Sequence, residues 1–255
     1  MDNLLKAPEA NCLHNKNILI TGASDGIGRV MALACAEYGA TVIMMGRSLE
    51  KLEAVYDEIT GQGWTEPAMI PADFSNTSYQ SLTHLSDIIG REFEHLDGLI
   101  LNASILGERV AIEDYSVDVW NEVMQVNVNS QFYLTQILLP FLKDAPSASI
   151  VLTSSGVGKT GRALWGAYSV SKFATEGFMQ VLADELKDSA IRVNCVDPGA
   201  TRTAMRQDAY PSENPEDVKP AAALIPIYVN LMNAKSLATH GQSIDFNGLN
   251  AQSSA

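Results

Sequence analysis

Tyr168 and Lys172 stand four residues apart in Tyr168-Ser-Val-Ser-Lys172. On a helix that spacing stacks the two side chains on one face, with Cβ atoms roughly 5–6 Å apart. An ammonium beside a phenol favours the phenolate, so Tyr168 is expected below its reference pKa of about 10. Such a tyrosine can pass a proton to or from a substrate oxygen while a hydride moves at the neighbouring carbon. A chain of this composition holds about 0.28 such Tyr/Lys pairs by accident, so the pair needs company. Ser154-Ser155, upstream in the chain, offers a hydroxyl that could hold a carbonyl oxygen beside the phenol. Asn127, in Gln125-Val-Asn-Val-Asn129, is an amide inside an otherwise apolar helical stretch. A buried amide needs partners, so Asn127 either satisfies local backbone or holds a water or a lysine in a relay.

A second constellation lies near the start, in Thr21-Gly22-Ala23-Ser24-Asp25-Gly26-Ile27-Gly28. Between a strand and a helix, these glycines permit a tight turn and close backbone approach to a pyrophosphate. The helix start then presents free N–H groups and a positive dipole end. The choice of dinucleotide rests on the end of the second strand. An acidic residue there would bind both ribose hydroxyls of NAD, whereas this strand ends Met45-Gly46-Arg47. A guanidinium suits bidentate phosphate recognition, so NADP(H) is the expected cofactor, with NAD(H) as the alternative. Asp25 opposes that reading, because its charge would repel a 2′-phosphate.

These residues need a frame. Short apolar runs at 17–21, 41–45, 68–72, 98–102, 149–153, 191–196 and 243–246 read as strands. Helical periodicity falls between them, at about 27–38, 48–60, 77–95, 116–143, 167–187 and 215–233. Strands that lack in/out alternation are covered on both faces. Regular β–α alternation implies a doubly wound parallel sheet of about seven strands, with helices on both faces. In such sheets ligands bind at the carboxyl ends of the strands, where the glycine loop, Arg47, Asn102, Ser155 and Pro198-Gly199 all fall. The expected division is an N-terminal extension at 1–14, a dinucleotide-binding and catalytic domain at 15–249, and a tail at 250–255. The first dozen residues and the last six look loosely held.

Composition narrows the classes. The chain has 255 residues, 46% of them apolar, and a formal charge of −13. It is long enough to bury a core without disulfides or metal. Its acidity argues against nucleic acid, which demands a surplus of Lys and Arg. The longest apolar stretch, Ala221 to Val229, contains Pro226 and falls short of the roughly 20 residues of a membrane span. Cys12, Cys35 and Cys195 show no paired spacing, and four scattered histidines show no ligand spacing, so no metal is expected. Met1 to Asn15 lacks a signal-peptide core, which points to the cytoplasm.

The chain resembles the short-chain dehydrogenase/reductase family over nearly its whole length, and within it the YciK-like bacterial oxidoreductases. Thr21–Gly28, Asn102-Ala103, Asn127, Ser155, Tyr168/Lys172 and Pro198-Gly199 occur in the family's order. TGASDGIG, MQVNVNSQF, TSSGVGK, GRALWGAYSVSKFATEG and DPGATRTAMR carry the closer likeness. The resemblance implies Tyr168 as catalytic acid/base, Lys172 as the residue that lowers its pKa and binds the nicotinamide ribose, and Ser155 as the substrate-positioning hydroxyl. Asn127 would hold a water that links Lys172 to solvent. Gly22, Ser24, Gly26, Ile27 and Gly28 would cradle the pyrophosphate, with Asp25 and Arg47 near the adenosine phosphate. Asp73 and Phe74 would face the adenine, and Asn102, Ala103 and Ser104 the adenosine ribose. Pro198, Gly199, Thr201 and Thr203 would flank the nicotinamide. The family's N-N-A-G reads Leu101-Asn102-Ala103-Ser104 here, and Thr201 stands where an aliphatic is common.

The expected activity is therefore an NADP(H)-dependent oxidoreductase that interconverts a carbonyl and an alcohol on a small molecule. The competing class is a dinucleotide-sensing protein without catalysis. Such proteins typically lose the Tyr or Lys retained here. Substrate contacts are expected in 104–113, 156–165 and 200–220, where Leu106, Leu164, Trp165 and Met205 suggest a partly apolar pocket. The resemblance, with an apolar stripe of Phe173, Ala174, Gly177, Phe178, Val181 and Leu182, implies a homodimer or homotetramer.

Overall fold

Seven strands lie parallel in one sheet, in the order β3-β2-β1-β4-β5-β6-β7, in a computed structural model that describes residues 4–236 and 238–253. They are β1 (Asn17–Thr21), β2 (Thr41–Gly46), β3 (Ala68–Pro71), β4 (Gly98–Leu101), β5 (Ala148–Thr153), β6 (Ile191–Asp197) and β7 (Gln242–Asp245). Every residue of β4, β5 and β6 is buried, which is why those runs show no alternation. The register places Ile20 beside both Met44 and Ile100, and Leu152 beside Cys195.

Helices cover both faces. One apolar cluster joins Ile18 and Ile20 to α1 (Gly26–Glu37), α2 (Leu49–Gly61) and α8 (Ile225–Met232). The other joins Leu19, Leu99 and Ile150 to α3 (Tyr79–Glu92), α5 (Ser130–Asp144) and α6 (Gly166–Glu185). Strand order reverses between β1 and β4, and this opens the crevice at the carboxyl ends of those two strands. Caps fix where helices start: Asp25 accepts from Gly26 N, Ser48 from Lys51 N, and Ser78 with Ser81 forms a reciprocal capping box.

Several elements depart from expectation. The helix expected over 116–143 is α4 (Val117–Met124), a π turn (Gln125–Asn129) and α5, so Asn127 lies within a bulge. The helix expected over 215–233 is broken into short 3₁₀ turns at Pro215–Asp217 and Ala221–Leu224 before α8. Pro220 and Pro226 lack the N–H that a continuous helix would use. Two short helices, α7 (Ala204–Ala209) and α9 (Phe246–Ser253), were not anticipated. The last strand starts and stops one residue earlier, and Phe246 opens α9.

The N-terminal segment is less loose than its composition implies. Leu4 and Leu13 are buried in the first cluster, and Asn230 Nδ2 donates to the carbonyls of Leu4 and Lys6. Of the last six residues, those up to Ser253 continue α9, and 254–255 lie outside the described residues. Among the described residues, no helix is long and apolar enough to cross a membrane, and no three His, Cys, Asp or Glu are grouped to hold a metal.

Candidate active site

The loops at the carboxyl ends of β1, β2, β3, β4, β5 and β6 enclose one cleft of about 580 Å³. Gly22 turns the chain out of β1 with φ +68 and leads into α1. Gly28 does not line the cleft. A Cβ there would sit 2.1 Å from Gly22 O, so Gly28 lets α1 pass close beneath the loop. Thr21, which opens the glycine motif and has no role assigned from the sequence, is the strut across the crevice. Its Oγ1 accepts from Asn102 N at 2.9 Å and Ala103 N at 3.0 Å, joining the ends of β1 and β4.

Arg47 follows β2 at the rim of the same cleft, exposed. A Cβ on Gly46 would come within 3.0 Å of Ser24 Oγ, so a carboxylate-bearing residue there would have to displace Ser24. Asp25, the opposing charge, is engaged by Lys51 Nζ at 2.6 Å and by Gly26 N at 2.7 Å. The Lys51 hydrogen bond holds its carboxyl below the usual range. Lys51 was invisible to motif reasoning because it lies on α2, distant in sequence. Asp73 accepts from Ser75 N, Ser75 Oγ and Asn76 Nδ2, which keep its carboxyl low, and Phe74 is buried behind it.

The chemistry-bearing side chains converge at the other end. Tyr168 and Lys172 come from α6, and Ser155 follows β5; all three line the cleft. Lys172 is 1% exposed, and its Nζ donates to Thr153 O at 2.8 Å and lies 5.5 Å from the Tyr168 ring centroid. The expected drop in the Tyr168 pKa is not what the site shows. Burial pushes the phenol up to about 12, against the Ser155 hydroxyl, which pulls it down; the charge of Asp197 adds to the rise. Burial lowers Lys172 to about 8, opposed by its neighbours Cys195, Glu176 and Asp197, which raise it. Both groups are enclosed, so the low dielectric penalises either charge before their mutual attraction can act.

Asn127 lies behind the wall, fully buried. Its Oδ1 accepts from Ile105 N at 2.8 Å, and its Nδ2 donates to Ile105 O at 2.9 Å and Ser171 Oγ at 3.0 Å. The amide therefore ties the loop after β4 to α6, with both donor hydrogens engaged.

After β6, Asp197 accepts from Gly199 N at 3.0 Å, and burial raises its carboxyl pKa. Thr201 Oγ1 bonds back to the Pro198 and Gly199 carbonyls, and Thr203 caps α7. Beyond Tyr168, Val157, Trp165 and Ala209 form an apolar cluster with Leu106, Met205 and Tyr210, while Arg206 and Asp208 also line the cleft. Leu164, expected in the pocket, is 48% exposed and does not line it. Arg109, which sequence reasoning passed over, has its guanidinium 4.6 Å from the Trp165 centroid and 4.9 Å from that of Tyr210, and it donates to Ala209 O. Arg206 lies 3.8 Å from the Tyr210 centroid and forks onto Glu213 at 2.5–2.6 Å.

Relatives share this arrangement over most of their length. The family model for short chain dehydrogenases matches residues 16–214. The chain is 46% identical over 238 residues to the uncharacterized oxidoreductase YciK of Escherichia coli (strain K12), covering 93% of this chain and 94% of that protein. A solved short chain dehydrogenase from Escherichia coli CFT073, complexed with NADPH, superposes with a TM-score of 0.91 at 46% identity, covering 93% of this chain and 99% of that one. One from Shigella flexneri 2a, complexed with NADP, superposes with a TM-score of 0.90 at 45% identity and the same coverage. A seven-stranded doubly wound sheet, a glycine turn into α1 and a Tyr/Lys pair beside Ser155, matched this closely and this completely, show that the chain belongs to the short-chain dehydrogenase/reductase family of oxidoreductases.

Proposed function

We propose that the protein is an NADP(H)-dependent reductase or dehydrogenase acting on a carbonyl/alcohol pair, with Tyr168 as the acid/base. The observation that carries this reading is that Tyr168, Lys172 and Ser155 line the same cleft as the glycine turn and Arg47. The residues fit the dinucleotide. Gly22 and Gly26 line the cleft with positive φ and no side chain to fill it, and the buried Ser104 Oγ, on the cleft wall, has no hydrogen-bond partner among the described residues. With Asp25 paired to Lys51, its opposition to a 2′-phosphate beside Arg47 would be reduced, in line with the NADPH and NADP bound by the two relatives.

NADPH supplies the hydride, and the protein's own groups handle the proton. Ser155 orients the substrate oxygen, and the Tyr168 phenol, kept protonated by burial, donates to that oxygen as negative charge develops on it. The Lys172 ammonium then faces the phenolate that is left and holds it in a site of low dielectric. In the oxidising direction the same proton returns. The substrate end carries an apolar cluster, its cations Arg109 and Arg206 are engaged by rings, Ala209 O and Glu213, and Asp208 lines it as a carboxylate, which together suit an uncharged carbonyl compound over an anionic one. A homodimer or homotetramer fits the outer face of α6, where Phe173 is 46% and Val181 58% exposed. The test is a panel of neutral and carboxylate-bearing aldehydes, ketones and alcohols, offered with NADPH, NADP, NADH or NAD while nicotinamide absorbance is followed. No turnover of any member would refute the reading.

A further inference from the structure

Tyr168, Lys172 and Glu176 follow one another along α6 at four-residue steps, so their side chains form one row. The first two account for proton transfer, and the third has no part in it. Yet Glu176 is only 7% exposed. Burial of a carboxylate is costly unless hydrogen bonds compensate. Here two hydroxyls do so: Ser154 Oγ, at the end of β5, and Ser243 Oγ of β7 at 2.9 Å both donate to Glu176 Oε1. A glutamine oxygen would accept the same bonds without a buried charge, so the charge itself needs a reason.

The reason lies in what the row grips. Lys172 Nζ holds the Thr153 carbonyl, Glu176 holds the Ser154 hydroxyl, and Ser154 N donates to Val196 O at 2.8 Å. Ser155 thus leaves a backbone anchored at three points. Lys172 feels Glu176 from its own helix and Cys195 and Asp197 from β6. Asp197 in turn faces Lys159 from the loop after β5 and Asp245 from β7. Cys195 remains a thiol, because burial raises it far above its ordinary value, so Glu176 and Asp197 are the anions available to Lys172.

We propose that Glu176 is a positioning residue of the catalytic centre: its carboxylate clamps Ser154, and through it Ser155, and supplies the counter-charge that keeps buried Lys172 an ammonium. The proposal rests on the assignment of Tyr168 and Lys172 to proton transfer. Two substitutions separate its halves, because Glu176→Gln keeps the hydroxyl acceptor without the charge, and Glu176→Asp keeps the charge without the reach. With lysine ε-carbons labelled with ¹³C, the Lys172 resonance is assigned by its loss in Lys172→Met and titrated in each variant. Glu176→Gln is expected to lower the Lys172 midpoint by about one pH unit, tenfold in its acid constant, and Glu176→Asp to leave it nearly in place. With 4-nitrobenzaldehyde and NADPH, Glu176→Gln should bring the alkaline decline of kcat to lower pH. Glu176→Asp should lower kcat without moving that decline, and KM for NADPH should hold in both. A purely structural glutamate would lower the melting temperature of both variants and leave the Lys172 midpoint unmoved, and that result overturns the proposal. A Lys172 midpoint that falls in Glu176→Gln, in a protein that turns over no carbonyl compound, would uphold the counter-charge and refute the assigned reaction.

Discussion

Replacing Lys172 by methionine is expected to stabilise the protein near neutral pH while abolishing its activity. Lys172 is buried, and its pKa in the fold is about 8 against an ordinary 10.5. Below about pH 8 the lysine is protonated in both folded and unfolded chains, so the fold carries the full cost of the enclosed charge. At 1.36 kcal/mol per pH unit, that gap amounts to about 3 kcal/mol. Methionine removes the cost and keeps most of the volume, but it leaves Thr153 O without its donor, a loss of about 1 kcal/mol. The net gain of about 2 kcal/mol corresponds to roughly 4–8 °C in Tm for a chain of this size. The sign changes with pH. Between about 8 and 10.5 the unfolded chain binds a proton that the fold does not, so the unmodified protein gains stability relative to the variant as pH rises. Above about 10.5 the lysine is neutral in both states, and the variant should be the less stable by about 1 kcal/mol. The assay is thermal unfolding of both proteins, freed of cofactor, across this pH range. A variant less stable at pH 7, or a Tm difference independent of pH, would refute the burial argument.

Tyr168→Phe removes only the proton-transferring hydroxyl, so turnover should fall by about 10²- to 10⁴-fold with NADPH affinity close to unchanged, as steady-state rates and fluorescence titration would show. Carbonyl reduction in the unmodified protein should decline above about pH 8, where Lys172 loses its proton, because the departing phenolate then lacks its ammonium; a rate that stays level to pH 10 counts against this. Arg47→Ala should weaken NADPH binding about ten- to a hundredfold while NADH binding holds, and the NADPH titration should be the more salt-sensitive before the change. Phe173→Asp with Val181→Asp should dissociate the assembly proposed on the outer face of α6, measured by sedimentation, with the fold intact because both side chains point outward.

Much of the frame was legible in the chain itself because the rules involved are local. Strand runs without alternation announce double coverage, and β4, β5 and β6 are buried throughout. A glycine that must turn with positive φ, as Gly22 does, and a four-residue Tyr/Lys step on a helix are both properties of neighbouring residues. The breaks were harder. The π turn at Asn127 leaves the apolar periodicity almost intact, and α7 is too short to show any.

What the chain alone determined about this protein is therefore its fold class, its family, and which side chains stand at the ends of which strands. Their states were decided by the tertiary structure. The phenol of Tyr168 lies above its ordinary pKa and not below it, because residues far apart in sequence enclose it together with Lys172. Asp25 is paired, because Lys51 reaches it from the first turn of α2. The Asn127 amide is committed to Ile105 and Ser171, Leu164 faces solvent, and Glu176 accepts from Ser154, which follows β5, and from Ser243 of β7. Spacing along a helix or strand fixes which side chains share a face. The charge, partners and accessibility of each depend on dielectric and contacts that arise only when distant elements pack.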